Sequence, residues 1–324
     1  MHSIADLKNI VNKHLSEIEV ASHPADLYDP IRYMLNLEAK RMRPVLVLMA
    51  CELFDGNIED AIKPALGVEV FHNFTLLHDD IMDNAPLRRS NATVHEKWNT
   101  NVAILSGDAM FVQACQLVME APENCLKPVM NLFLDTSIKV CEGQQLDMDF
   151  EQMSSVDIDK YIEMIGLKTA ELLAGALKMG ALISKAGIRE ADHLYEFGKN
   201  IGIAFQLKDD ILDVFGDQSL FGKQPGGDIV SNKKTFLLLK AMELSGNEEQ
   251  KILSHWINLP SPDIDEKIKA VKDVFITLGI KEYAEQEMER YYNIALDHLN
   301  EINIDERKKV YLKEFAGFLM VRNT

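Results

Sequence analysis

The sequence predicts an all-α protein, a helical bundle whose polar loops gather at one end of an apolar interior. Three observations carry that expectation. Apolar residues recur at spacings of three and four along almost the whole chain, the period of helices that bury one face. The β-branched alternation that marks strands is nearly absent. The breaks between periodic runs hold prolines and short polar side chains of the kind that start and stop helices.

In chain order, helices are expected over 4–20, 30–37, 43–54, 61–82 and 102–121, then over 126–146, 158–186, 188–215 and 235–245. Four more are expected over 248–258, 264–278, 281–302 and 306–321. Pro30 and Pro44 suit first-turn positions, where a missing N–H costs nothing. Asp157, three residues before Lys160, and Asp305, ahead of Glu306, are N-cap signals. The longest loops fall at 84–101 and 216–234.

With 324 residues, no Pro/Gly/Ser-rich linker and no repeat period, the chain is expected to form one continuous domain, 1–324. Its net charge of −17 argues against nucleic acid or an anionic membrane as a routine partner. The four cysteines, Cys51, Cys115, Cys125 and Cys141, form no CxxC and sit on helical patterns, so buried thiols in a reducing compartment are expected. The histidines form no HExxH, which argues against zinc. No basic segment followed by an apolar core opens the chain, and no run of about 18 apolar residues interrupts it. A cytoplasmic protein without an integral membrane segment is expected.

The chemistry is concentrated in two acidic clusters of one DDxxD pattern, Asp79-Asp80-Ile81-Met82-Asp83 and Asp209-Asp210-Ile211-Leu212-Asp213, each preceded by an apolar helical run. On a helix the first and third aspartates share a face one turn apart, and the middle one is rotated by about 100°. Three like charges within two turns repel one another unless a cation neutralises them. Carboxylate-rich, oxygen-only ligation suits Mg²⁺, which takes much of its shell from water and substrate phosphates. Basic loops follow both clusters: Pro86-Leu87-Arg88-Arg89-Ser90 after the first, and Phe221-Gly222-Lys223 with Lys233-Lys234 after the second. Acid, metal and base in this order point to a metal-held diphosphate.

On these residues the chain resembles the trans-isoprenyl diphosphate synthase (polyprenyl synthetase) family. Leu77-His78-Asp79-Asp80-Ile81-Met82-Asp83 with Leu87-Arg88-Arg89 resembles the family's first aspartate-rich motif, and Phe205-Gln206-Leu207-Lys208-Asp209-Asp210-Ile211-Leu212-Asp213 its second. Gly143-Gln144 with Asp147, and Gly166-Leu167-Lys168-Thr169, resemble two further blocks in the expected order. Lys40-Arg41-Met42-Arg43-Pro44 is similar to the GGKRxRP element, with Glu38-Ala39 where two glycines are usual. The resemblance implies a bundle around a deep apolar cavity and head-to-tail condensation of isopentenyl diphosphate with an allylic diphosphate. It implies Mg²⁺ as cofactor, as three ions with Mn²⁺ able to substitute, held by Asp79, Asp80, Asp83, Asp209, Asp210 and Asp213.

Further roles follow from the same resemblance. Lys40, Arg43, His72 and Arg89 match positions that hold isopentenyl diphosphate. Arg88, Lys168, Thr169, Gln206, Lys223 and Lys233 match positions that hold the allylic partner, and Lys168 and Lys223 count among the catalytic residues because they neutralise the departing diphosphate. His78 reads as a hydrogen-bonding brace. A second DDxxD argues against a terpene cyclase, the spacing argues against head-to-head synthases, and six retained aspartates argue against a non-catalytic subunit. The growing tail is expected to run from Asp79 back along its helix. Thr75, Phe74 and Phe71 lie about 6, 7.5 and 12 Å back, and the bulk of Phe74 resembles the pocket floor of short-chain members, implying C15 to C20 products. A homodimer is expected, with Phe111, Val112, Cys115, Leu117 and Val118 as candidate contacts.

Overall fold

A computed structural model describes residues 1–216 and 226–321, and over these the periodic segments do fold as helices. The first four are α1 (Ile4–Ser16), α2 (Ala25–Asn36), α3 (Met42–Leu53) and α4 (Ile58–Met82). A two-residue hairpin, β1 (Leu87–Arg88) with β2 (Asn91–Ala92), precedes α5 (Val94–Lys97), α6 (Thr100–Val118) and α7 (Leu126–Gln152). Next come α8 (Ile158–Ile165), a π-helical turn (Gly166–Ala170), α9 (Glu171–Ile183) and α10 (Ile188–Phe215). The chain ends with α11 (Gly227–Val230), α12 (Phe236–Leu244), α13 (Asn247–Asn258), α14 (Ile264–Thr277), α15 (Ile280–Glu301) and α16 (Glu306–Val321).

Short polar side chains start these helices by accepting from otherwise orphaned first-turn N–H groups. Ser3 and Asp6 form a reciprocal capping box at α1, and Asn57, Asn99 and Asp263 cap α4, α6 and α14. Asp157 caps α8 as the sequence indicates, accepting from the Lys160 N–H at 2.8 Å. Asp305 accepts from the Arg307 N–H at 3.0 Å.

Three expectations need correction. Pro30 lies inside α2 and not in its first turn, because that helix starts earlier, at Ala25. The segment expected as one helix over 158–186 is broken by the π turn at Gly166–Ala170; the apolar period continues through it, so the pattern alone gives no warning. The loop expected over 84–101 contains the hairpin and α5. Arg89 and Ser90 turn the hairpin with φ of 52° and 63°, both left-handed as a type I′ turn demands.

The described residues group into two compact units. The first comprises 1–136, 175–195 and 303–311; the second comprises 137–174, 196–302 and 312–321. At the centre of the first unit α4 is buried all round over residues 64–71, as a stretch apolar on nearly every side must be. It meets α6 so closely that a Cβ on Gly67 would fall 2.6 Å from a Val118 methyl carbon. The second unit is built on Phe150, Leu207, Ile211, Phe236 and Phe275, all at most 5 % exposed. One described helix, Thr100–Val118, is long and apolar enough to cross a membrane by length and composition, with a mean hydropathy of 1.2. Its close packing on α4 gives it a place in the first unit's core.

Candidate active site

The first acidic motif occupies the last turn of α4, and Asp83 is the residue that closes the helix. Its three carboxylates are not equivalent. Asp80 is 1 % exposed and is gripped by Arg88, whose Nε and NH2 donate to Asp80 Oδ1 at 2.9 and 2.6 Å. Arg88 also reaches Asp79 Oδ2 at 3.4 Å. The hairpin is what folds this guanidinium back onto the helix end. Burial pushes the Asp80 carboxyl up, and Arg88 opposes that shift. Asp80 Oδ2 remains buried without a hydrogen-bond partner, and Asp79 and Asp83 are more accessible.

About two to three turns earlier, α4 contributes Asn73, His72 and Glu69 to a basic cluster in the same unit. Arg43 NH1 lies 3.1 Å from His72 Nε2, and the buried Arg41 forms an ion pair with the buried Glu69 at 2.7 Å. Burial pushes the Arg43 guanidinium down to about 10, with Glu69 opposing and Arg89 reinforcing the shift. Burial and the neighbouring Arg43, Arg89, Arg88 and Arg41 hold His72 well below the ordinary histidine value, so its ring is a neutral acceptor. Lys40 is exposed at the edge of this turn. The four residues assigned to isopentenyl diphosphate thus share a unit, and His72 and Arg43 touch directly.

Phe74, Thr75 and Phe71, expected from the resemblance to limit chain length, share α4 with the first motif. Phe74 packs edge-on against His78, centroids 4.7 Å apart, and against Phe111 at 5.5 Å. Phe71 is fully buried and meets Phe74, Phe111 and Phe133 at 5.6, 5.9 and 5.4 Å. Thr75 turns its hydroxyl onto the His72 carbonyl at 2.8 Å. His78 Nε2 lies 3.2 Å from the Ile104 carbonyl, the geometry of a brace.

The second motif, on α10 in the other unit, repeats the asymmetry. Asp210 is 4 % exposed; it accepts from the Tyr161 hydroxyl and, at 3.1 Å, from Gln206 Nε2. Gln206 in turn accepts from the Thr169 hydroxyl at 3.1 Å. Burial and the nearby Asp228 push the Asp210 carboxyl well up. Asp213 accepts from the backbone N–H of Asp228 at 3.0 Å, and burial with Asp213 alongside pushes the Asp228 carboxyl up to about 6. Lys168 stands on the π turn and pairs with Asp147 at 2.6 Å. A Cβ on Gly143 would lie 2.2 Å from the Lys168 backbone nitrogen, so α7 can approach the π turn only because residue 143 has no side chain. Lys233 donates its backbone N–H to the Asp228 backbone carbonyl at 2.9 Å. Lys223 lies outside the described residues.

Sequence reasoning missed Glu69, Tyr161 and Asp228 as members of these clusters. Tyr161 and Glu69 sit inside apolar runs whose period hides them, whereas Asp228 follows Gly226-Gly227, a visible signal of close backbone approach.

The profile of a family described as Polyprenyl synthetase matches residues 24–274. The chain belongs to that family. It is a prenyl diphosphate synthase. Geranylgeranyl diphosphate synthase of Sulfolobus acidocaldarius is 35% identical to it over 298 residues, 90% of each chain. A crystal structure of a geranylgeranyl pyrophosphate synthase matches 100% of both chains with a TM-score of 0.95 and 42% identity. A geranylgeranyl pyrophosphate synthase from Corynebacterium glutamicum, solved with isoprenyl diphosphate and magnesium, matches 99% of this synthase at a TM-score of 0.89 and 26% identity. The all-α fold expected from apolar spacing is the fold of these enzymes.

Within each unit the partly accessible carboxylates, Asp79 and Asp83 in one and Asp209 and Asp213 in the other, are oxygen donors of the kind that suits a hard divalent ion. Among the described residues no three acidic, histidine or cysteine side chains are gathered into a ready cage. Mg²⁺ usually takes one or two carboxylates, with phosphates and water completing its shell.

Proposed function

We propose that this synthase condenses isopentenyl diphosphate with an allylic diphosphate (dimethylallyl, geranyl or farnesyl) head to tail, in a Mg²⁺-dependent reaction, to give C15–C20 trans-prenyl diphosphates. The observation that carries the proposal is the repeated asymmetry of the two DDxxD helix segments. In each, the middle carboxylate is held by protein donors while its neighbours stay accessible to a metal-bound diphosphate. Asp79, Asp83, Asp209 and Asp213 are assigned to the ions directly, and Asp80 and Asp210 complete the set while orienting Arg88 and Gln206. Three ions fit the family pattern, with Mn²⁺ as a substitute, and both units act as one synthase domain. The bound metal supplies Lewis-acid stabilisation of the leaving diphosphate.

The chain's own residues then do the following. Arg88, Lys168, Lys223 and Lys233 neutralise charge that develops on the diphosphate as the allylic C–O bond breaks, an interaction stronger in the transition state than in the ground state. Lys40, Arg43, His72 and Arg89 hold isopentenyl diphosphate, whose double bond supplies the electron pair for the new C–C bond. Loss of a proton restores an alkene, and the released diphosphate is the acceptor. Phe74, braced by Phe71 and Phe111, limits the tail.

The test is metal dependence combined with ligand removal. Chelation should abolish turnover and Mg²⁺ or Mn²⁺ should restore it, and Asp79→Ala or Asp209→Ala should lower kcat by about 10²–10³. Full activity of Asp209→Ala in chelator would sink the proposal.

A further inference from the structure

Glu69 is 1 % exposed and Asn73 fully buried, one helical turn apart on α4. The Glu69 carboxylate accepts from Arg41 NH1 at 2.7 Å and from Asn73 Nδ2 at 3.1 Å. Arg41 also donates through NH2 to the carbonyls of Leu35 and Leu37, at 2.7 and 2.9 Å. Its own backbone is left-handed, with φ of 54°, a conformation a non-glycine residue keeps only when its surroundings hold it there. The clamp therefore fixes the turn that carries Lys40 on one side and Arg43 on the other. Arg43 Nε and Arg89 NH1 are buried in this structure without a hydrogen-bond partner, two donors for an anion's oxygens. Burial lowers most the affinity of Arg43 and Arg89 for their protons, Glu69 raises it and neighbouring guanidiniums lower it further; with the Arg41 ion pair, one carboxylate serves all three arginines.

Partly desolvated guanidiniums repel strongly, and one carboxylate among them offsets that repulsion. A diphosphate brought to the same cluster is a second counter-ion. We propose that Glu69 is a positioning residue, a built-in counter-ion that keeps Arg41, Arg43 and Arg89 assembled while the site is empty and that competes electrostatically with the diphosphate of isopentenyl diphosphate. The inference rests on the assignment of this cluster to isopentenyl diphosphate. Its consequence is a site that is preformed yet binds its ground-state anion less tightly than the arginines alone would.

The signs of four variants test it. Binding of inorganic diphosphate to the full chain is measured calorimetrically in chelator, which removes metal-dependent binding at the aspartates, and KM is measured for both substrates. Glu69→Gln should bind diphosphate roughly tenfold tighter (about 1.4 kcal/mol) and lower KM for isopentenyl diphosphate, with KM for the allylic substrate unmoved. Arg41→Gln leaves the carboxylate uncompensated and should weaken binding by a similar factor. The double variant should return toward wild type, and Glu69→Asp, which keeps the charge, should stay near it. A purely structural pair would weaken binding in both single variants, and that result overturns the proposal. If Glu69→Gln does not fold, the comparison of Arg41→Gln with the double variant decides, since the double must bind tighter. A wild-type chain that binds inorganic diphosphate but neither binds nor consumes isopentenyl diphosphate would refute the functional assignment instead, leaving the charge test intact.

Discussion

Histidine 72 shows how far local electrostatics shape this protein at the scale of one residue. Desolvation of its half-buried ring and, after it, the neighbouring Arg43, Arg89, Arg88 and Arg41 hold its proton affinity well below the ordinary value of 6.5. The unfolded chain binds a proton at this residue below that pH and the folded chain does not. Its contribution to stability is therefore full above about pH 6.5 and is lost as pH falls below it. The melting temperature should drop between pH 7 and pH 5, and His72→Gln should flatten that part of the profile. An equally steep acid limb in the variant would assign the loss to other groups. The acidic motifs themselves were legible from spacing, but the distinction between Asp80 and its neighbours was not. A helical period gives the angle at which Asp80 leaves α4; it says nothing of Arg88, which a left-handed hairpin turn folds back onto it. Tyr161 was hidden for the opposite reason, since an aromatic residue in an apolar run reads as core until Asp210 is seen beside it. The thiols were only partly legible: Cys51 and Cys125 are buried as expected, but Cys141 is exposed.

Among the elements, α7 and the π turn carry the tightest approach of the second site. Alanine at position 143 would gain about 0.5–1 kcal/mol of helix propensity, but its Cβ would meet the Lys168 backbone nitrogen at 2.2 Å. Displacing backbone costs about 1–3 kcal/mol or more, so the clash wins. Gly143→Ala should lower the melting temperature and reduce turnover together, since the displaced turn carries both Lys168 and Thr169. A stabilised, fully active variant would show that α7 can shift freely. On α4 the corresponding test is product length. Phe74→Ala opens space beside Phe71 and Phe111 and should lengthen the product by at least one five-carbon unit, read by chromatography of the hydrolysed products. An unchanged product distribution from an active variant would remove Phe74 from the floor. Helix existence was legible throughout, because apolar faces must be buried whatever lies around them. The π turn and the early start of α2 were not, since both leave the apolar period intact.

For the whole molecule, charge and family point to a protein that gathers anionic substrates locally despite a net charge of −17. Part of its surface remains to be accounted for. Leu105 and Val112 on α6, with Met119 that closes it, repeat every seven residues and are 57–59 % exposed, the stripe of a helix that pairs with another. A homodimer through this stripe is expected, with Val112 exposed there; Val118 is fully buried against α4 and offers no surface to a partner. Light scattering at micromolar protein should return twice the 36.6 kDa chain mass, and Val112→Glu should shift it toward one chain. Head-to-tail condensation is read directly by incubating the purified chain alone with Mg²⁺, isopentenyl diphosphate and each allylic diphosphate in turn, and identifying the products by mass. All-trans prenyl diphosphates of C15 to C20 are expected, with one diphosphate released per condensation. A folded chain that releases diphosphate without forming a longer prenyl chain, or that forms no product with any allylic partner, would contradict that expectation.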